Sequence, residues 1–270
     1  MVEGAPPLCD RVFLVTGATD GIGEFTAELL AREGCTVLVH GRNPAKVERV
    51  VQRLGPKSQG FVADLSLLSE VSRLGEEVAS QYSEIHGLLN NAGTFDGDYT
   101  GRKVITAEGN EYSLAVNVLA PFLLSSLLLE NVKASGFGRV LITSSISAGS
   151  NEGLSDLQCE SSWSNHHAYS LSKLCDAMIT MELNARYGDA PRLCFHTMDP
   201  GTVNTKMLIR GWGACGIPVR QATTSFEMLT QDRFQASSGS GQGYCCGEKR
   251  GSWKKLWDEL VQLTGAVYPE

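Results

Sequence analysis

The sequence predicts an α/β protein: a single doubly wound, Rossmann-type parallel sheet of about seven strands with helices on both faces. Three observations carry this. Short apolar runs such as Arg11 to Val15 (RVFLV), Cys35 to His40 (CTVLVH) and Arg139 to Thr143 (RVLIT) read as strands buried on both faces. Helix-length segments alternate with them, a rhythm that implies parallel pairing through right-handed crossovers. The first strand runs directly into a glycine turn, Thr16-Gly17-Ala18-Thr19-Asp20-Gly21-Ile22-Gly23, and then into a helical pattern from Glu24 to Arg32 that stops at Gly34.

At 270 residues the chain has room for one large domain, 1–270, with a well-buried core. Its 42% apolar and 20% charged content are those of a soluble globular protein. A formal charge of −7 and the lack of any Lys/Arg-rich run argue against a nucleic-acid partner. Of eight cysteines, Cys35, Cys175 and Cys194 fall inside predicted elements as small apolar residues, and none forms a C-x-x-C pair. The adjacent Cys245-Cys246 suits neither zinc nor an ordinary disulfide, so a reducing compartment and no metal are expected. Met1 to Asp10 lacks a basic region followed by an apolar run, and Leu114 to Leu129 is interrupted by Asn117, Pro121, Ser125 and Ser126. The expectation is a soluble cytoplasmic protein with no integral membrane segment.

The remaining elements follow in order. Pro44 to Leu54 is a helix with proline in its first turn. Gly60 to Ala63 is a third strand leading to Asp64-Leu65, and Leu67 to Tyr82 is a helix. Leu88-Leu89 opens into Asn90-Asn91-Ala92-Gly93, and Thr94 to Lys103 is a Gly- and Asp-rich loop. Ala107 to Ala134 reads as one long helix containing Asn117 among Leu114, Val116, Val118 and Leu119. A buried asparagine usually only satisfies backbone groups; a kink would sharpen its role. Arg139 to Thr143 delivers Ser144-Ser145-Ile146-Ser147 to the carboxyl end of a central strand, where open α/β sheets bind ligands. Ala148 to Asn165 is a polar surface excursion. Ala168 to Tyr187 is an amphipathic helix in which only Glu182 is out of place. Arg192 to Met198 is the sixth strand, followed by Asp199-Pro200-Gly201-Thr202-Val203-Asn204-Thr205. Lys206 to Pro218 carries Met207, Leu208, Ile209, Trp212 and Ile217, either as a substrate flap or as a loop packed on the core. Gln221 to Leu229 is helical, Ser237 to Gly243 a turn, and Tyr244 to Cys246 a seventh strand. Residues 252–264, with Trp253, Leu256, Trp257 and Leu260 on one face, form a docking helix.

Strand, glycine turn and helix in that order are what a dinucleotide pyrophosphate requires, since glycines admit the phosphates and the helix N-terminus offers free N–H groups. After the second strand stands Gly41-Arg42, with no carboxylate to bind a ribose 2′-hydroxyl. Arg42 suits the 2′-phosphate of NADP, so NADP(H) is favoured over NAD(H), although Asp20 brings a negative charge into the phosphate loop. Tyr169 and Lys173 are i and i+4 on one helix face. A phenol beside an ammonium ionises more readily, which suits a proton donor and acceptor near neutral pH.

Together the glycine turn, Asn90-Asn91-Ala92-Gly93, Asn117, Ser144-Ser145, Tyr169-x-x-x-Lys173 and Pro200-Gly201 resemble the short-chain dehydrogenase/reductase family from about Arg11 to Cys246. Glu108-Gly109-Asn110 through Asn117 and on to Leu129 is most similar to its retinol-dehydrogenase-like branch. The resemblance implies an oxidoreductase exchanging hydride between nicotinamide and a small apolar carbonyl or alcohol. It makes Tyr169 the general acid/base, with Lys173 lowering its pKa and bonding the nicotinamide ribose. Ser145 would hold the substrate oxygen, with Ser144 as fallback, and Asn117 a water in the proton relay. Gly17, Asp20, Gly21, Ile22 and Gly23 fall at the pyrophosphate, Arg42 at the 2′-phosphate, Asp64 and Leu65 at the adenine, and Asn91, Ala92 and Gly93 at the ribose edge. Pro200, Gly201, Val203 and Thr205 face the nicotinamide. A homodimer or homotetramer through residues 107–134 and 168–187 is a further implication.

Three features depart from the family pattern. Ser145 and Tyr169 stand 169 − 145 = 24 positions apart, longer than in the shorter members. Asp199 precedes Pro200 where the branch often has histidine. The amino-terminal membrane segment of microsomal retinol dehydrogenases is not seen. The competing reading is a non-catalytic dinucleotide-binding or scaffold protein on the same fold. A sugar-nucleotide epimerase would need a larger carboxy-terminal substrate domain.

Overall fold

A computed structural model describes residues 5–95, 102–149, 151–231 and 250–269. The apolar runs pair as β1 (Val12–Val15), β2 (Thr36–Gly41), β3 (Ser58–Val62), β4 (Gly87–Asn90), β5 (Gly138–Thr143) and β6 (Leu193–Met198). They form one parallel sheet in the order β3-β2-β1-β4-β5-β6. The expectation of about seven strands is therefore corrected to six among the described residues. The segment assigned to the seventh, Tyr244 to Cys246, and the Ser237–Gly243 turn lie outside them.

Both faces of the sheet are covered, which is why its strands are apolar at consecutive positions. Leu14, Leu38, Leu88, Val140, Ile142 and Phe195 point into one apolar layer. That layer is completed by α3 (Leu68–Gln81), α5 (Ala120–Leu127), α6 (Leu129–Ala134), α7 (Asn165–Tyr187) and α10 (Arg250–Thr264). Their neighbours Phe13, Val15, Val37, Val39, Leu89, Leu141 and Met198 enter the other layer, against α1 (Gly21–Arg32), α2 (Pro44–Leu54) and α9 (Thr224–Thr230). On α10, Leu256, Trp257 and Leu260 are buried, and Trp257 meets Phe122 edge-on at 5.0 Å.

Three segments differ from the sequence expectation. The long helix starts at Tyr112, not Ala107. Residues before it turn back through an Ile105–Glu111 bridge, with Gly109 at φ 86°. The helix is also not uniform: α4 (Tyr112–Leu114) passes through a π turn, Ala115–Leu119, into α5. Pro121 explains the π turn. It has no N–H to give the carbonyl four residues back, that of Asn117, and its ring would collide with that carbonyl in a regular helix. Second, α7 begins three residues earlier than read, because Ser164 accepts the His167 N–H and caps it. Third, the excursion before α7 is not purely superficial. Leu157 and Cys159 are buried, and the Asp156 carboxylate shapes their turn by accepting the N–H groups of Glu160 and Ser161.

Among the described residues no helix is long and apolar enough to cross a membrane, and no group of His, Cys, Asp or Glu could hold a metal ion.

Candidate active site

The strand order reverses between β1 and β4, and a cleft of about 720 Å³ opens at the carboxyl ends of the strands there. The turn after β1 needs glycine for conformation and for space. Gly17 and Gly21 have φ of 66° and 56°, and a Cβ on Gly23 would stand 2.5 Å from both Gly17 O and Asn91 Nδ2. The turns after β1 and β4 are knitted together: Thr16 Oγ1 accepts the N–H groups of Asn91 and Ala92, and Asn91 Nδ2 donates to Thr16 O. From β2, His40 Nδ1 accepts the Gly17 N–H at 3.3 Å, which leaves Nε2–H to donate to Ala63 O at 3.1 Å. Burial holds this imidazole neutral, lowering its pKa to about 4. Gly23→Ala is expected to cost about 2 kcal/mol of stability through that clash, read as a fall in the urea midpoint at unchanged slope.

Asp20 does not leave a bare negative charge in the turn. Its Oδ1 accepts the Gly21 N–H at the head of α1, and its other oxygen pairs with Lys206. Lys206 is the first residue of α8 (Lys206–Trp212), so the apolar segment is a short helix tied to the glycine turn rather than a loop. At the other end of the cleft Arg42 donates to the Tyr112 hydroxyl at 3.0 Å and has no ion pair among the described residues. Lys46 lines the cleft near it, and Asn43 caps α2. A Cβ at Gly41 would lie 2.5 Å from Thr19 Cγ2, so this position has no room for a carboxylate side chain without a shift.

Tyr169 and Lys173 project from α7 into the middle of the cleft. The Lys173 ammonium stands 5.7 Å from the centroid of the Tyr169 ring. It also donates to Thr143 O at 2.8 Å and to Asp176 Oδ2 at 2.9 Å. The two serines separate by partner. Ser144 Oγ is consumed by the α7 backbone, donating to Lys173 O at 2.7 Å, whereas among the described residues Ser145 Oγ only accepts the Ser147 N–H. Asn117 is buried behind the cleft. Its side chain exchanges two bonds with the Thr94 backbone and donates to Ser172 Oγ, so it clamps the loop after β4 to α7.

Of the residues expected at the site from the sequence, all line the cleft except Gly23 and Asn117, which support it from behind. Sequence reasoning placed Trp212, Met207 and Leu208 in the apolar segment but missed Phe95, and with it the aromatic wall. Phe95 stacks on Trp212 at 4.2 Å and meets Tyr169 edge-on at 5.0 Å. Gly211 permits this packing, since a Cβ there would lie 2.6 Å from the Phe95 ring. Met207, Leu208, Val116 and the exposed Ile146 extend the apolar lining. Asp199 lies at the same end, accepting the Gly201 N–H at 3.0 Å. The positive-φ glycines, the helix N-terminus and the volume of the cleft fit a dinucleotide.

The family model for short chain dehydrogenases matches residues 11–212. The chain belongs to the short-chain dehydrogenase/reductase family. It lies in the retinol-dehydrogenase-like branch, as an NAD(P)-dependent enzyme acting on CH–OH groups. It is 30% identical to human polyprenol dehydrogenase over 97% of this chain and 87% of that protein. Mouse retinol dehydrogenase 11 is 34% identical over 94% of this chain and 86% of its own length. Among solved structures, a short chain dehydrogenase from Escherichia coli CFT073 complexed with NADPH superposes with a TM-score of 0.69 at 28% identity. That match covers 86% of this chain and 94% of the other.

Proposed function

We propose that this short-chain dehydrogenase is an NADP(H)-dependent enzyme that interconverts an apolar carbonyl and its alcohol, with Tyr169 as general acid and base. One observation carries the reading: Tyr169, Lys173 and Ser145 converge on a cleft whose adjoining wall is Phe95, Trp212, Ile146 and Met207. The nicotinamide, when bound, supplies or accepts the hydride. Ser145, its oxygen already accepting from Ser147, has its O–H left to donate to the substrate oxygen. Tyr169 gives or takes the proton at that oxygen, and Lys173 stabilises the charge on the phenol side. The Asn117 backbone carbonyl, denied its i+4 donor by Pro121, would hold the relay water; the side-chain amide is already used. Residues 206–218 act as the substrate flap, with Trp212 excluding water from the reacting centre and favouring apolar groups over polar ones.

NADP is preferred because Arg42 and Lys46 offer two cations where Gly41 leaves no place for a carboxylate. Titrating the protein with NADPH and NADH tests this. Arg42→Ala is expected to weaken NADPH about tenfold, the value of one charge-assisted contact, and to leave NADH within about twofold. Equal loss for both coenzymes removes Arg42 from the 2′-phosphate. A panel of apolar aldehydes and ketones with saturating NADPH then tests turnover; consumption of none of them counts against the reading.

A further inference from the structure

The core side of α7 holds a charge that the site just described does not use. Asp176 is 0% exposed, and its Oδ2 accepts from Lys173 Nζ at 2.9 Å. Its second oxygen, Oδ1, is buried with no hydrogen-bond partner among the described residues. A carboxylate placed in a core with half its acceptors unmet is costly, and apolar residues of similar size commonly serve helix packing at least as well. Packing therefore gives no reason for an acid at this position. Lys173 does: it is buried too, and burial alone drives a lysine toward the neutral amine.

We propose that Asp176 is a positioning residue of the active site, holding Lys173 protonated and aimed beside Thr143 O from the core side. The inference rests on the reading of Tyr169 and Lys173 given above. The ionisation directions agree with it. Burial pulls Lys173 down, but the charge of Asp176, then Tyr169 and the hydrogen bond to Asp176, more than restore it, leaving it above the ordinary lysine range. Burial lifts Asp176 to about 6, the Lys173 charge offsetting part of the rise, so both groups are charged at pH 7.

Other ionisable groups on the elements around this stretch do not compete. Cys175 and Cys159 are pushed up by burial and stay thiols. Glu111 caps α4 and accepts from Trp163, while Lys103 donates to Cys159 O. His196 on β6 alternates to the opposite face from Phe195, and Glu259 on α10 acts on Cys175. Arg139 lies at the far end of β5.

The test pairs side-chain NMR of labelled lysine, with Lys173 assigned by its loss in Lys173→Met, with the pH profile of kcat/KM. In Asp176→Asn the Lys173 titration is expected to fall by about 2 pH units. The alkaline limb of kcat/KM should follow it, costing tenfold or more above pH 9 while activity near pH 6.5 is kept. Asp176→Glu should restore both. Should Asp176→Asn not fold, the smaller neutral Asp176→Ser carries the same comparison. An unmoved Lys173 titration overturns the proposal, as does an unmoved alkaline limb in a variant that has only lost thermal stability. A wild-type protein that turns over no alcohol or ketone defeats the functional reading instead, and the NMR titration then decides the Asp176–Lys173 coupling by itself.

Discussion

Replacing Tyr169 with phenylalanine is expected to lower kcat/KM about 10³-fold and to leave NADPH affinity within about twofold. The magnitude is that of a positioned general acid removed from the transition state. The substitution is clean because the ring is held by packing rather than by its hydroxyl: Phe95 meets it edge-on, Trp212 lies at 6.3 Å and the Lys173 ammonium at 5.7 Å. A phenyl ring keeps all three contacts, so the melting temperature should stay within a few degrees. Steady-state rates and coenzyme fluorescence titration of the same preparation separate chemistry from binding. A variant that keeps more than a tenth of the activity removes Tyr169 from proton transfer. One that fails to bind NADPH assigns it to the coenzyme alone.

The second large effect is a loss of stability in acid set by His40. Its pKa falls from 6.5 to about 4 on folding because the ring is buried. Between those values the unfolded chain binds the proton and the native chain does not, so stability rises with pH across this window. Acidifying from pH 7 to below 4 should remove about 3 kcal/mol through this group, at about 1.4 kcal/mol per unit. Asp176 has the opposite sign: its carboxyl is raised to about 6 in the fold, so the stability it contributes is present in acid and lost as pH rises through 6. The His40 share is therefore read as a difference, from urea midpoints of the wild type and His40→Gln at several pH values. The wild type should lose about 3 kcal/mol more than the variant, and parallel curves would show that His40 is not the titrating group. Protonated Nδ1 can no longer accept the Gly17 N–H, so the glycine turn should lose coenzyme affinity over the same interval.

Much of this was legible in the sequence because it depends on local rules. Strands buried on two faces are apolar at successive positions, a strand–glycine–helix turn is written in eight residues, and Tyr169 and Lys173 need only one helical turn to meet. What escaped depends on segments far apart or on burial. Phe95 and Trp212 stack only because α8 folds back over the loop after β4, and no periodicity announces that. Asp176 stands three residues after Lys173 and could be seen as its partner. Its burial could not, since the segment reads as an amphipathic helix with a polar face, whereas α7 is enclosed at every position from Leu171 to Thr180. The interruption at Asn117 did have a signal, Pro121 four residues downstream, which reading Ala107 to Ala134 as one helix passed over. Gly109 and Asn110 likewise marked the true start of that helix.

The π turn between Leu114 and Ala120 has a consequence for how this segment can change. It holds one more residue than a regular helical turn, and the wider turn absorbs that residue so that everything after it stays in phase. Deleting a residue there would close the spiral to a regular turn and keep Phe122, Leu123 and Leu124 facing the core they fill, whereas a deletion in the regular turns beyond it would rotate whatever follows by about 100°. The irregularity is thus where this segment can take up a change of length: elsewhere its apolar neighbours accept substitutions but not insertions or deletions.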